Sequence, residues 1–413
     1  MEASSAFEQQ SELAQKRSLV NMSTGGLGEI PKDPPYVNLT LEGGGVLGIA
    51  YCGALEQLHK RDLLRGITNF AGTSAGSIFA GALACGATFN FMLIEMSHVN
   101  FADFIDYGNK AKAAYNIYYY NGACPGNYFI TWYGSVIQKL TGNPNITLKQ
   151  VHDRYGGRLV IAATDLNRRK IIYIDWKSFP DMPLCLAVRA SMSIPGIFIP
   201  VKYLDYYFVD GGVLDNYPIS VFHNQTGDVD RINPKTLGLM LLTTNELRTF
   251  PQVDGMTTYL ESLAYCYMTQ TQKMYMDEQD WKRTIKIDCG GVSSMNFDID
   301  NKAKMDLVER GRLGVINHFS KPTLSQRDIA LSAEKIISGL PREVVSREVV
   351  SREVVSRELS QPSDQYTVAY PVSTPIPIKV ANYTNYINPI IPNARTIDSF
   401  EEELKILDKK IKA

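Results

Sequence analysis

Apolar and polar residues alternate through Val37-Asn38-Leu39-Thr40-Leu41, and this run of good strand formers predicts a β-strand. Glycines Gly43 to Gly45 follow at once, and from Val46 to Leu64 the apolar residues recur at helical spacing. The unit reads strand, tight turn, helix. A second one follows: an apolar strand over Ile67 to Ala71, a turn from Gly72 to Gly76, and a helix of small residues from Ser77 to Ala87.

Further along, a hairpin is predicted from Arg158–Ala162 to Ile171–Asp175, with strands near Tyr206–Val209, Leu237–Leu242 and Thr284–Asp288. Long helical patterns span Met256–Met276 and Lys302–Phe319. Strands alternating with helices predict an α/β fold with a central, largely parallel sheet and helices on both faces.

The two ends differ from this middle. Residues 1–35, rich in Ser, Gln, Glu and Gly and closing on Pro34-Pro35, lack apolar periodicity and read as a mobile arm. Folding is expected over 36–320, and 321–413 reads as a C-terminal extension. Within it, Arg-Glu-Val-Val-Ser recurs in tandem from Arg342, the whole repeat covering 342–358. Each Glu precedes an Arg by four residues, the favourable order for helical ion pairs. A spacer or marginal helix is the plain reading. Near the end, Phe400, Leu404, Leu407 and Ile411 make an apolar stripe behind a Ser399/Glu402 capping box, so a short amphipathic helix is expected over 399–412.

Charge narrows the function classes. With 42 basic and 43 acidic residues, nothing points to nucleic acid as a partner. The cysteines (Cys52, Cys85, Cys124, Cys185, Cys266, Cys289) share no CxxC spacing and no pattern with histidines, so reduced, buried thiols in an intracellular protein are expected. No secretory segment and no membrane-spanning run is legible, which predicts a soluble or peripherally membrane-associated chain. No metal-ligand cluster and no cofactor motif is expected.

Candidate chemistry sits at three turns. Glu42-Gly43-Gly44-Gly45-Val46-Leu47-Gly48 follows a strand, and its glycines allow bare N–H groups to face an oxyanion or phosphate at a helix start. Gly43, Gly45 and Gly48 also fit the dinucleotide pattern G-x-G-x-x-G. The second strand argues against that fit, because it ends on no ribose-binding acid and runs instead into Gly72-Thr73-Ser74-Ala75-Gly76. That G-x-S-x-G, with a strand before and a helix after, has the context of a nucleophile elbow, and the Ala75 N–H would join the Gly-loop donors. A serine needs a base. The histidines His59, His98, His152, His223 and His318 read as surface or helix-end residues, whereas Asp210, in Tyr206-Tyr207-Phe208-Val209-Asp210-Gly211-Gly212, closes a β-rich run at a glycine turn where partial burial would raise its basicity. Taken alone, Asp-Gly-Gly is more often just a turn.

Together, GGGVLG, GTSAG and DGG in this order resemble the patatin-like phospholipase family, as do Ala190-Ser191-Met192-Ser193-Ile194-Pro195 and Asn216 with Pro218. The resemblance covers about Tyr36 to Leu242, and more weakly reaches Ser320. It implies a three-layer α/β/α fold and a lipid acyl hydrolase, phospholipase A or lysophospholipase in type. It also implies Ser74 as nucleophile, Asp210 as base, Gly43, Gly44, Gly45 and Ala75 as oxyanion hole, and Gly48, Gly72, Gly76, Gly211 and Gly212 as motif glycines. A membrane phospholipid or other acyl lipid would be the substrate, with peripheral membrane contact. Leu47 departs from the family, which commonly has Arg or Lys there, and the alternative is a weak or silent lipid-binding relative. The aromatic-rich stretch Phe91 to Tyr133 reads mainly as core, with part of it available as a lid or acyl-groove wall.

Overall fold

Strand β1 (Asn38–Leu41) is buried at every position, as befits a strand covered on both faces. In this computed structural model the residues described are 33–226, 229–243, 276, 278–320, 383–387 and 402. The pentapeptide repeat lies outside them, as do most of the expected N-terminal arm and, apart from single residues, the helices expected over Met256–Met276 and 399–412.

After β1 come β2 (Asn69–Thr73), β3 (Gly122–Cys124), β4 (Leu159–Asp165), β5 (Lys170–Ile174), β6 (Gly196–Phe198), β7 (Val201–Tyr203) and β8 (Tyr206–Asp210). They are followed by β9 (Asn224–Thr226), β10 (Val229–Arg231), β11 (Thr236–Leu242) and β12 (Thr284–Asp288). The main sheet is ordered β12-β11-β1-β2-β4-β8-β7, with β5 also on β4. From β12 to β4 every pairing is parallel. The pairings of β5 and β8 with β4, and of β7 with β8, are antiparallel. The sheet is therefore mixed, with a parallel centre and an antiparallel flank, and helices cover it.

Four helices matter most: α1 (Ala50–Lys60), α2 (Ala75–Ala84), α3 (Leu184–Ser191) and α4 (Asn301–Phe319). The boundaries of three elements differ from those expected of the sequence. The second strand runs over Asn69–Thr73, two residues later than the apolar run Ile67–Ala71, and α2 begins at Ala75 rather than Ser77. The first helix opens with a 3-10 turn, Gly45–Ile49, before α1, and α1 stops at Lys60 rather than Leu64. Among the described residues no helix is long and apolar enough to cross a membrane. The cysteines Cys52, Cys85, Cys124, Cys185 and Cys289 are free and buried.

Small residues let backbones approach. A Cβ on Gly76 would collide with the Leu41 carbonyl oxygen, so α2 lies directly on β1. Helices α1 and α4 cross in the same way, since a Cβ on Gly53 would strike the Val308 carbonyl and one on Gly311 the Ala50 carbonyl. Both obstacles are backbone and cannot rotate aside. Gly53→Ala is therefore expected to lower stability by about 1–3 kcal/mol, the usual range for overpacking. In urea titration the midpoint should fall at unchanged slope, and an unmoved midpoint would refute the contact.

Candidate active site

The strand register brings two distant residues together. Along β4, Thr73 of β2 stands opposite Ala162, and Asp210 of β8 stands opposite Ala163. Strand β5 pairs with β4 across both of these positions. It fills one edge of β4, so β2 and β8 must share the other. They run toward each other and their carboxyl ends meet at the Ala162–Ala163 step. Ser74 follows one end and Asp210 forms the other.

Ser74 carries the strain of the elbow. Its φ of 51° and ψ of −122° lie where L-residues are rarely found. The neighbouring glycines allow this bend: a Cβ on Gly72 would strike Gly76, and Gly76 itself has no room for one. Ser74 is buried, and its hydroxyl stands at the amino end of α2, where the helix field favours negative charge. Its N–H donates to Ser191 Oγ at 2.9 Å, and Ser191 Oγ donates to the Ala162 carbonyl at 2.6 Å. Ser77 Oγ donates to the Ser74 carbonyl at 2.6 Å.

Asp210 is fully buried. Its N–H donates to the Ser193 carbonyl at 2.8 Å, and its Oδ1 accepts the Gly212 N–H at 2.7 Å. Burial pushes its carboxyl up to about 7, against the opposing pull of the Gly212 N–H and the Ser74 hydroxyl. Oδ2 makes no full hydrogen bond among the described residues, so the influence of the Ser74 hydroxyl is that of a near neighbour rather than of a formed bond. Gly211 fits because a Cβ there would strike the Ala162 carbonyl.

The glycine loop differs from expectation at one position. Gly43 lies beside the serine, since a Cβ on it would be 3.1 Å from Ser74 Cβ. Its N–H, however, donates to the Asn216 carbonyl at 2.9 Å, while Asn216 Nδ2 donates to the Gly43 carbonyl at 3.0 Å. This reciprocal pair takes Gly43 out of the expected donor set and makes it an anchor. Among the described residues the N–H groups of Gly44, Gly45 and Ala75 have no acceptor. Gly45 has a φ of +53° with the Ser294 carbonyl pressed against it, and Ser294 also accepts the Val46 N–H at 3.1 Å. Gly48 packs closely on Ala75, whose Cβ would be 3.0 Å from a Cβ at that glycine. Leu47 is buried in the core.

Several supporting residues were not picked out in the sequence. Glu42 Oε2 accepts the Leu241 N–H at 2.7 Å, and its carbonyl accepts Tyr51 Oη at 2.6 Å, which pins the start of the glycine loop. Asp215 accepts Tyr173 Oη at 2.7 Å, and its carbonyl accepts Thr73 Oγ1 at 2.9 Å. Burial pushes the Asp215 carboxyl up to about 6. Arg189 is fully buried. Its guanidinium donates to Ser193 Oγ at 2.5 Å and to the carbonyls of Pro125 and Ile199 at 3.0 and 2.9 Å. It thereby fixes the segment that holds both catalytic candidates. A lone Arg inside the apolar run Leu184–Ala190 was the available signal.

The histidines are engaged elsewhere. His152 stacks on Trp176 at 4.1 Å between ring centres, His59 lies against Phe89, His98 bonds the Ile94 carbonyl, and His223 contacts Arg283. Among the described residues no histidine is hydrogen-bonded to Ser74, and no His, Cys, Asp and Glu side chains converge as a metal site would require. Ser191→Ala leaves the Ser74 N–H and the Ala162 carbonyl without a shared partner. An unmade buried hydrogen bond costs about 1–3 kcal/mol, so the variant is expected to be less stable by about that amount. Its urea midpoint checks this, and a parental midpoint would dismiss the role.

The sequence model of one family, described as Patatin-like phospholipase, matches residues 39–223. An uncharacterized protein of Acanthamoeba polyphaga mimivirus is 31% identical over 289 residues, covering 66% of this chain and 90% of the viral one. A probable lipid hydrolase of Invertebrate iridescent virus 6 is 26% identical over 199 residues, which is 46% of this chain and 65% of that one. Among solved structures, VipD from Legionella pneumophila aligns with a TM-score of 0.47 at 17% identity, over 69% of this chain and 67% of that chain.

Proposed function

Because this chain belongs to the patatin-like phospholipase family, a family of lipid hydrolases, we propose that it cleaves acyl esters of lipids through a Ser74–Asp210 dyad and an acyl-enzyme. One observation carries this reading: β2 and β8 end against each other on a single edge of β4, so the elbow serine and the buried aspartate are neighbours.

In the proposed sequence Asp210 takes the proton from Ser74 Oγ, and Oγ bonds to the ester carbonyl carbon. The carbonyl oxygen becomes an oxyanion facing the N–H groups of Gly44, Gly45 and Ala75, where the amino end of α2 adds favourable field. Collapse breaks the ester C–O bond, and the departing alcohol recovers the proton from Asp210. Water, deprotonated by the same carboxylate, then attacks the acyl-serine; the acyl–Oγ bond breaks, Ser74 Oγ recovers the proton from Asp210, and a fatty acid leaves. A base raised to about 7 by burial suits this work, because it is charged near neutrality yet basic enough to accept the proton.

Phospholipid or another acyl lipid is the proposed substrate, and no cofactor enters the scheme. The test is labelling with a fluorophosphonate, followed by peptide mapping. Modification of Ser74 is expected, and modification elsewhere or none at all would remove the reading.

A further inference from the structure

The turns joining β4 to β5 and β7 to β8 stand side by side and expose two leucines. Leu166 is 44% exposed and Leu204 is 70% exposed. The tips are tied together, since the Leu166 N–H donates to the Tyr207 carbonyl at 3.0 Å and Asn167 Nδ2 donates to the Asp205 carbonyl at 3.0 Å. Arg168 joins them further by pairing with both Asp165 and Asp205. Around the leucines stand the exposed cations Arg169, Lys170 and Lys202, which form no ion pair among the described residues.

Position gives this patch its meaning. Strand β4 runs parallel to β2, with Ala162 level with Thr73. Leu166 therefore lies beyond Ser74 in the direction the parallel strands point, by about 10 Å at ~3.3 Å per residue. Phe208 is level with Asp165, so the β7–β8 turn reaches farther still. Both tips project from the end of the sheet at which Ser74 stands.

The backbone adds an independent sign. Leu204 has a φ of 54° in a two-residue hairpin turn, a conformation that favours glycine or asparagine and is unfavourable for a branched side chain. Turn stability does not select leucine there. A local strain that exposes an apolar group points to use of that group.

We infer that these paired tips are a docking surface for an anionic lipid bilayer, with Leu166 and Leu204 entering the interface while Arg169, Lys170 and Lys202 meet the head groups. Apolar tips ringed by cations that form no ion pair among the described residues fit such a surface by both burial and charge. The inference rests on the lipid-hydrolase reading for its purpose, not for its test.

The full chain is sedimented with phosphatidylcholine vesicles, with and without phosphatidylserine. Binding is expected to need phosphatidylserine and to weaken with salt. Leu204→Asn should weaken partitioning about tenfold, the effect of withdrawing a partly buried leucine, while the melting temperature holds or rises because asparagine suits the turn. Leu166→Ser, on the other turn, should act similarly, so a folding defect in one variant leaves the other to decide. Lys202→Gln should cost about fivefold. Equal binding by parent and variants, binding indifferent to phosphatidylserine, or no binding by the parent overturns the proposal. Hydrolysis of a water-soluble short-chain ester by the parent is measured separately. Its absence with vesicle binding intact would sink the enzyme and leave the docking surface standing.

Discussion

Ser74→Ala is expected to reduce ester hydrolysis by 10³-fold or more, on the order found when a covalent nucleophile is removed, while the protein stays folded. The hydroxyl has the chemical duty proposed above and little packing duty: the bonds that hold the elbow use the Ser74 N–H and carbonyl, through Ser191 and Ser77. Alanine keeps both. The strained φ of 51° remains as well, so stability should change by less than about 1 kcal/mol. Fluorophosphonate labelling should vanish with activity. A variant that keeps activity within a few-fold of the parent would remove Ser74 from the mechanism.

The second large effect is at Asp210. Asp210→Asn is nearly isosteric but cannot accept a proton, and the catalytic rate should fall on the order of 10²-fold or more. In the parent the base must be charged, so activity should climb as pH rises through about 7, where burial holds its carboxyl. Stability should move the opposite way. An unfolded Asp ionises near roughly 4, so between that pH and about 7 the folded state keeps a proton that the unfolded chain has released. The contribution of Asp210 is therefore present at acid pH and lost as pH rises to about 7. Asparagine does not titrate. The melting temperature of the variant minus that of the parent should thus grow between pH 4 and pH 8, even as activity disappears. Asp215, also raised, titrates in both proteins and cancels from the difference. A difference flat with pH would mean that Asp210 is solvated, and would weaken its role as base.

Much of the candidate site's local geometry was legible because each part is written in a short stretch of chain. Three glycines after a strand, a serine flanked by glycines and an aspartate before two more describe local backbone geometry, and local geometry is what sequence encodes most directly. What was missed depends on distant partners. Strand β2 begins at a polar residue because Asn69 Nδ2 donates to Asn38 Oδ1 at 2.8 Å, and Asn38 Nδ2 donates to Thr236 Oγ1 at 2.9 Å. This row of amide and hydroxyl groups crosses the strands where hydrophobic patterning registers nothing. Gly43 looked like an oxyanion donor, but Asn216, remote in sequence, holds its N–H. The 3-10 turn at Gly45–Ile49 likewise meets a far loop, through Ser294. The strand ending at Asp210 was foreseen, but not its antiparallel docking beside β2.

That docking limits how the site can change. The spacing between Ser74 and Asp210 is counted out in residues along β4, because Thr73, just before Ser74, pairs with Ala162 and Asp210 pairs with Ala163. A hydrogen-bonded ladder admits only whole steps, and a single step turns every side chain to the opposite face. The distance from Ser74 to Asp210 is therefore quantised. Gradual drift in loop length, such as the connection after β5 or the turn between β7 and β8, is absorbed without touching it, whereas one inserted residue in β2 or β8 would present the wrong atom altogether. A pair placed in this way tolerates variation in everything around it except its own numbering.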